Sequence, residues 1–116
     1  MRAKRRPLMD KDPVRGKTVR WTYEDGPVKG QVFEHTFGSD GKVAYREAGG
    51  STAGGSRPEP SIRYHVEVID DHVYAVSYLS TNTWTLTTVV DERSRRIVSF
   101  ASNEKDLVVQ HGNLVV

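Results

Sequence analysis

Apolar and polar positions alternate along most of this chain. In GKTVRWTYEDG, residues 16 to 26, Val19, Trp21 and Tyr23 recur at every second position, with Thr18, Arg20, Thr22 and Glu24 between them, and Asp25-Gly26 closes the run. That is the pattern of a half-buried strand ending in a turn. The same period gives eight strands, at 17–24, 29–37, 42–48, 62–69, 73–80, 83–91, 95–102 and 106–115. Turn signals separate most of them: Asp25-Gly26-Pro27, Gly38-Ser39-Asp40-Gly41, Asp70-Asp71, Thr81-Asn82 and Ser102-Asn103-Glu104-Lys105. No window shows a helical stripe. Short, evenly spaced strands with tight connections predict an antiparallel meander. Eight of them leave two unpaired edges unless the sheet closes, so the expected fold is all-β, an eight-stranded antiparallel up-and-down barrel. Such a barrel is filled by its own side chains or holds one small ligand.

Length and charge refine this. The 116 residues suffice for one domain with its own core. Residues 1 to 17 carry seven basic side chains against two acidic ones, and the remaining body carries ten against thirteen. The basic stretch has little apolar content, so residues 1–15 are expected to form a disordered tail and residues 16–116 the barrel. A mildly acidic body argues against nucleic acid as a partner. No apolar run approaches membrane-spanning length, and the basic start lacks the apolar segment of a secretory signal. The absence of cysteine excludes disulfides and thiolate chemistry and fits a cytoplasmic location. The connection GGSTAGGSRPEPS, residues 49 to 61, is long for a hairpin and reads as a disordered loop or a lid.

Chemistry is sought on the inward face. Alternation turns Val19, Trp21 and Tyr23 inward from strand one, Phe33, His35 and Phe37 from strand two, and Trp84, Leu86, Thr88 and Val90 from strand six. Tyr74, Val76 and Tyr78 are the expected inward set of strand five, although Val73, Ala75 and Leu79 argue for the other face. Any one of these aromatics could simply fill the core. Together, Trp21, Tyr23, His35, Tyr74 and Tyr78 put five polar tips into a small interior, each needing a partner or a water. A cavity that admits a polar, aromatic ligand accounts for them. His35 between two phenylalanines is expected to stay neutral through desolvation. His72 belongs to an exposed turn. His65 and Glu67 lie two apart on one strand face without a third ligand, so no metal site is expected.

The phrases GKTVRWTYEDG, EHTFGSDGKVAYR, VYAVSYLS and IVSFASNEKDLVVQHG resemble the molybdenum cofactor biosynthesis protein F-like (MoaF-like) family over residues 16 to 116. The resemblance implies a calycin, a lipocalin-like barrel. A more distant similarity is to the phenolic acid decarboxylases, whose strand-one motif Tyr-Thr-Tyr-Glu-Asn-Gly is similar to Trp21-Thr22-Tyr23-Glu24-Asp25-Gly26. By that resemblance their two catalytic tyrosines fall on Trp21 and Tyr23, and their substrate-binding arginine on Arg46 in Tyr45-Arg46. Their proton-donating glutamate falls on Arg63, where the acid is lost, and Glu67 lies about 13 Å further along the strand.

The expected function is therefore a small-molecule-binding barrel without a cofactor, its ligand hydrophobic or aromatic and open to being anionic. The site set is Trp21, Tyr23, Phe33, His35, Phe37, Arg46, Tyr74, Tyr78 and Trp84, with Arg46 as the charge complement. The alternative is a small lyase, isomerase or cyclase using Tyr23 and His35 as acid–base groups and Arg46 as a clamp. No membrane partner is expected, and a homodimer is compatible with the composition.

Overall fold

The computed structural model describes residues 12–47, 62–80 and 83–115. The expected tail as far as residue 11, the 49–61 connection and the Thr81-Asn82 turn lie outside the described residues. Eight strands follow one another: β1 (Thr18–Tyr23), β2 (Val32–Phe37), β3 (Lys42–Glu47), β4 (Ile62–Asp70), β5 (Val73–Leu79), β6 (Thr85–Asp91), β7 (Arg96–Ser102) and β8 (Leu107–Val115). Each pairs antiparallel with the next, and β8 pairs back onto β1, so the sheet is a closed barrel. The described residues contain no helix, and hence none long and apolar enough to cross a membrane.

The strands form where alternation and β-branched content predicted them, and the inward sets are those read from the period. Trp21, His35, Phe37, Val43, Tyr64, Tyr74, Val76, Tyr78, Thr88, Val90, Ile97 and Ser99 are buried. Arg63, His65 and Glu67 are exposed, so Tyr64, Val66 and Val68 are the inward side chains of β4. Register is held because a slip of one residue would exchange these two sets completely.

Closure at the β1–β8 seam depends on Gly112, which stands opposite Tyr23 on one side and Ile97 on the other. A Cβ at this position would overlap the carbonyl oxygen of Thr22. Backbone cannot yield as a side chain can, so only glycine lets β1 approach here. The β3–β4 seam is the shortest, pairing only Lys42 with Arg63 and Val43 with Ile62.

One end of the barrel is packed shut. Phe37 and Tyr64 meet edge to face at 4.9 Å, and Val43, Val76, Val90 and Ile97 fill the space around them. Val14 completes this core from outside the strands and is 1 % exposed. The segment holding it is tied down at both ends. Asp12 accepts from the backbone N–H groups of Val14 and Arg15, and from the Tyr64 hydroxyl at 2.6 Å. Gly16 N–H donates to Phe37 O, and Phe37 N–H donates to Lys17 O. The expected tail boundary at residue 15 is thus corrected for residues 12–15. One buried valine and one multiply bonded carboxylate offset the ordering entropy that the composition of the basic stretch could not.

Two outcomes test these seams. Gly112→Ala should cost several kcal/mol in urea unfolding, because backbone must move to admit the methyl group; a variant unfolding at the wild-type midpoint would contradict the seam as described. Val14→Ala should cost about 2 kcal/mol by the same measurement. A change within about 0.5 kcal/mol would mean that residue 14 is not part of the core.

Candidate functional site

The opposite end, which carries the β1–β2, β5–β6 and β7–β8 connections, is not filled. It holds a cavity of about 280 Å³, walled by Tyr23, Phe33, His35, Tyr45, Tyr78, Leu86, Ala101, Val108 and Gln110 and bordered by Pro27, Val28, Ser80 and Trp84. Every strand except β4 contributes. The β1–β2 connection reaches the rim because Gly26 adopts φ 85°, a left-handed conformation that favours glycine. It also packs so closely on Gln110 that a Cβ there would strike the amide.

His35 is the centre of the cavity floor. Its ring stacks on Trp21 with centroids 4.1 Å apart and lies 5.7 Å from Tyr45 and 5.8 Å from Tyr78. Its Nε2 is 2.8 Å from the Tyr78 hydroxyl, while its Nδ1 is buried and has no hydrogen-bond partner. Burial among aromatic faces holds the imidazole down to about 3, opposed only in part by the backbone of Phe33. The ring is neutral at any physiological pH. Where β3 leaves β4, the wall is continued by side chains: Tyr45 and Tyr78 stack at 5.3 Å.

A second polar chain runs beside it. Trp21 Nε1–H donates to the Tyr23 hydroxyl at 3.0 Å, Tyr23 is 2.9 Å from Ser99 Oγ, and Ser99 Oγ is 2.7 Å from Thr88 Oγ1. The polar tip of the indole and that of its neighbouring phenol therefore satisfy each other. Burial, only partly offset by these bonds, raises the Tyr23 phenol above its ordinary value, and burial raises Tyr78 well above it. Neither phenol supplies a phenolate near neutrality.

Of the expected site residues, Tyr23, Phe33, His35, Tyr78 and Trp84 line the cavity. Trp21 lies beneath them, 1 % exposed, supporting His35 and Tyr23. Phe37 and Tyr74 belong to the packed core instead. Arg46 requires correction. Alternation along β3 sends Val43 and Tyr45 inward, so Arg46 lies on the outer face opposite Glu34. There its Nε–H donates to Glu34 Oε1 at 2.8 Å, and Arg20 reaches Glu34 Oε2 at 2.8 Å from the other side. The Arg46 bond, helped by Arg20, holds the Glu34 carboxyl below the usual carboxylate range against the desolvation it suffers. Arg63 is likewise outside, so the clamp and acid positions implied by the decarboxylase resemblance do not converge on the cavity. Tyr45, Ala101, Val108 and Gln110 were missed. Tyr45 was legible from its phase with Val43, whereas the others became cavity residues only through their level in the closed barrel.

Among the described residues no group of three or more His, Cys, Asp or Glu could hold a metal ion. His111 instead binds the exposed Asp25 carboxylate through its backbone N–H and Nδ1, each at 2.8 Å.

The class defined by these features is a closed eight-stranded antiparallel barrel, packed at one end and hollow at the other. A solved structure shares the barrel fold: the crystal structure of a "putative beta-lactamase" from Burkholderia vietnamiensis, with a TM-score of 0.69 and 20 % identity, over 90 % of this chain and 96 % of that one. At that identity the likeness establishes the fold alone. No protein-family model matches the chain, and no curated protein matches it.

The buried imidazole makes a pH prediction. Its native value near 3 lies below the unfolded value near 6.5. The unfolded chain therefore takes up a proton that the native state refuses. The contribution of His35 to stability is complete above about pH 6.5 and is lost as pH falls towards about 3, up to about 5 kcal/mol across the full window. His35→Phe should flatten this part of the urea-unfolding profile between pH 7 and 4.5. A slope identical to that of the wild type would assign the acid sensitivity to other groups.

Proposed function

We propose that this chain is a small-molecule-binding barrel of the MoaF-like, lipocalin-like kind, and that its ligand is an uncharged aromatic molecule held at the hollow end. The observation that carries this reading is the division of the interior, with one half close-packed and the other a cavity walled by five aromatic rings and His35. Cavities of this size suit one or two fused rings, since about 150 Å³ already accommodates benzene. Indole and phenol rings offer stacking area, and their buried tips are already paired.

The charge of the ligand follows from the correction to Arg46. No cationic side chain lines the cavity among the described residues, and His35 is neutral. A carboxylate entering here would lose its hydration without gaining an ion pair, a cost of several kcal/mol. The anionic option is therefore set aside. The enzymatic alternative loses support for the same reason. It needs Tyr23 or His35 to exchange protons near neutrality and Arg46 to hold an anion, whereas burial moves both titrations away from neutrality and Arg46 lies on the outer face. The hydrolytic name of the structural neighbour adds no mechanism. Ser99, on the polar chain of the floor, is hydrogen-bonded to two hydroxyl groups, and neither is a base.

The test is a thermal-shift and calorimetric screen of matched pairs, each neutral aromatic beside its carboxylate analogue. Neutral compounds should raise the melting temperature, as any ligand of the native state must. Carboxylates should bind at least about tenfold more weakly. Ala101→Trp, which fills the cavity, should abolish the effect while the barrel stays folded. Binding that survives in Ala101→Trp, or that favours carboxylates, would contradict the proposal.

A further inference from the structure

We propose that the cavity selects ligands that donate a hydrogen bond, such as an aromatic hydroxyl or a ring N–H, and that Tyr78 is the acceptor that reads the donor, oriented by His35. This rests on the reading of the hollow end as the binding site and adds the hydrogen-bonding class of its occupant.

The argument counts protons. A neutral imidazole carries one N–H and one lone pair. Nε2 of His35 faces the Tyr78 hydroxyl at 2.8 Å, and Nδ1 is buried without a partner. The backbone of Phe33, two residues back on β2, lies close enough to favour the protonated ring. That is the effect of a carbonyl oxygen facing a ring N–H, and the opposite of what a backbone N–H would do. Nε2 is committed to Tyr78, which leaves Nδ1 as the nitrogen we assign to this oxygen, and a proton there is favoured although no full hydrogen bond forms. With the proton on Nε2, a buried lone pair on Nδ1 would face the same oxygen, which is repulsive. The first tautomer is preferred, so Nε2 is the acceptor and Tyr78 the donor.

A phenol has a single proton. Once it is given to His35, the Tyr78 oxygen can offer the cavity only lone pairs. Tyr23, the other phenol on the floor with a hydrogen bond, is not equivalent. Its oxygen already receives the Trp21 N–H and is bonded to Ser99, which Thr88 backs. Tyr78 has His35 as its one hydrogen-bond partner among the described residues and retains capacity. A hydroxyl or N–H on the ligand completes it. An ether or ketone oxygen in the same place would set lone pair against lone pair in a water-poor site, which discriminates more sharply than a difference of one methylene.

The experiment compares 2-naphthol, 2-methoxynaphthalene and naphthalene by isothermal titration calorimetry on the full chain, and places the His35 proton by ¹⁵N NMR of the imidazole. The wild type should bind 2-naphthol at least about tenfold more tightly than its methyl ether. Tyr78→Phe should erase that difference, lowering 2-naphthol to the affinity of its methyl ether. His35→Phe provides a second route. It frees the Tyr78 proton to donate, so the methyl ether should gain on the naphthol. The NMR spectrum should show Nδ1 protonated and Nε2 unprotonated. Equal affinities in the wild type, a naphthol preference that persists in Tyr78→Phe, or a proton on Nε2 would overturn this inference and leave the cavity reading standing. Failure of all three compounds to bind would overturn both.

Discussion

The hydrogen-bonded seam between β1 and β8 is the constraint on which the rest of the structure depends. An up-and-down sheet of eight strands has an inside only if its first and last strands meet. Here they meet along Arg20–Tyr23 and Gly112–Val115, and Gly112 admits the backbone of β1 by having no side chain. Once the seam closes, the inward face of each strand is committed to the interior. Val19, Trp21 and Tyr23 then confront Ile97, Ser99 and Thr88 from strands far along the chain. The Tyr23–Ser99 hydrogen bond, between residues 76 apart in sequence, exists only because the sheet is a cylinder.

Closure does not by itself decide what fills the cylinder. Phe37, Tyr64, Val76, Val90 and Ile97 form a buried cluster at one end, and Val14 joins it. At the other end, the large rings of Tyr45, Tyr78 and Trp84 stand around the wall with small Ala101 among them, and space is left between. The two halves also differ in polarity. The packed half is almost wholly apolar except at the Tyr64–Asp12 bond beside Val14 and at the Tyr74 phenol. The hollow half carries the Trp21–Tyr23–Ser99–Thr88 chain and the Tyr78–His35 pair at its floor. Polar groups that would be costly in a dry core are kept here because each has a partner, with His35 Nδ1 as the exception.

Charge is sorted by the same wall. Arg20, Glu34 and Arg46 lie side by side on three adjacent strands of the outer face, where the carboxylate is shielded by two guanidinium groups and water still reaches the arginines. Inside, His35 is held neutral by burial. A barrel arranged this way presents aromatic surface and neutral hydrogen-bonding groups to its cavity, and keeps its ion pairs for the surface.

Period two alone determined much of this protein. All eight strands, their bounds to within a few residues, the antiparallel order and the inward sets of β1, β2, β5 and β6 are legible in the alternation, because a pleated strand buried on one face cannot hide its pattern. The neutral His35 was legible too, from its place between Phe33 and Phe37 in an inward run. Height along the barrel axis was not, since it depends on strand stagger, which no local pattern encodes. Hence Phe37 and Tyr74 carry the same inward signature as Phe33 and Tyr78 yet belong to the packed end. Arg46 shows a different limit. A motif resemblance placed it by function, while the alternation of Val43 and Tyr45 placed it outside, and the pleat prevailed because Glu34 on the neighbouring strand offered its charge a partner there. Val14 lies in a basic, polar stretch with no periodicity at all. Only the three-dimensional structure, which brings it into one buried cluster with Phe37 and Tyr64, made it core.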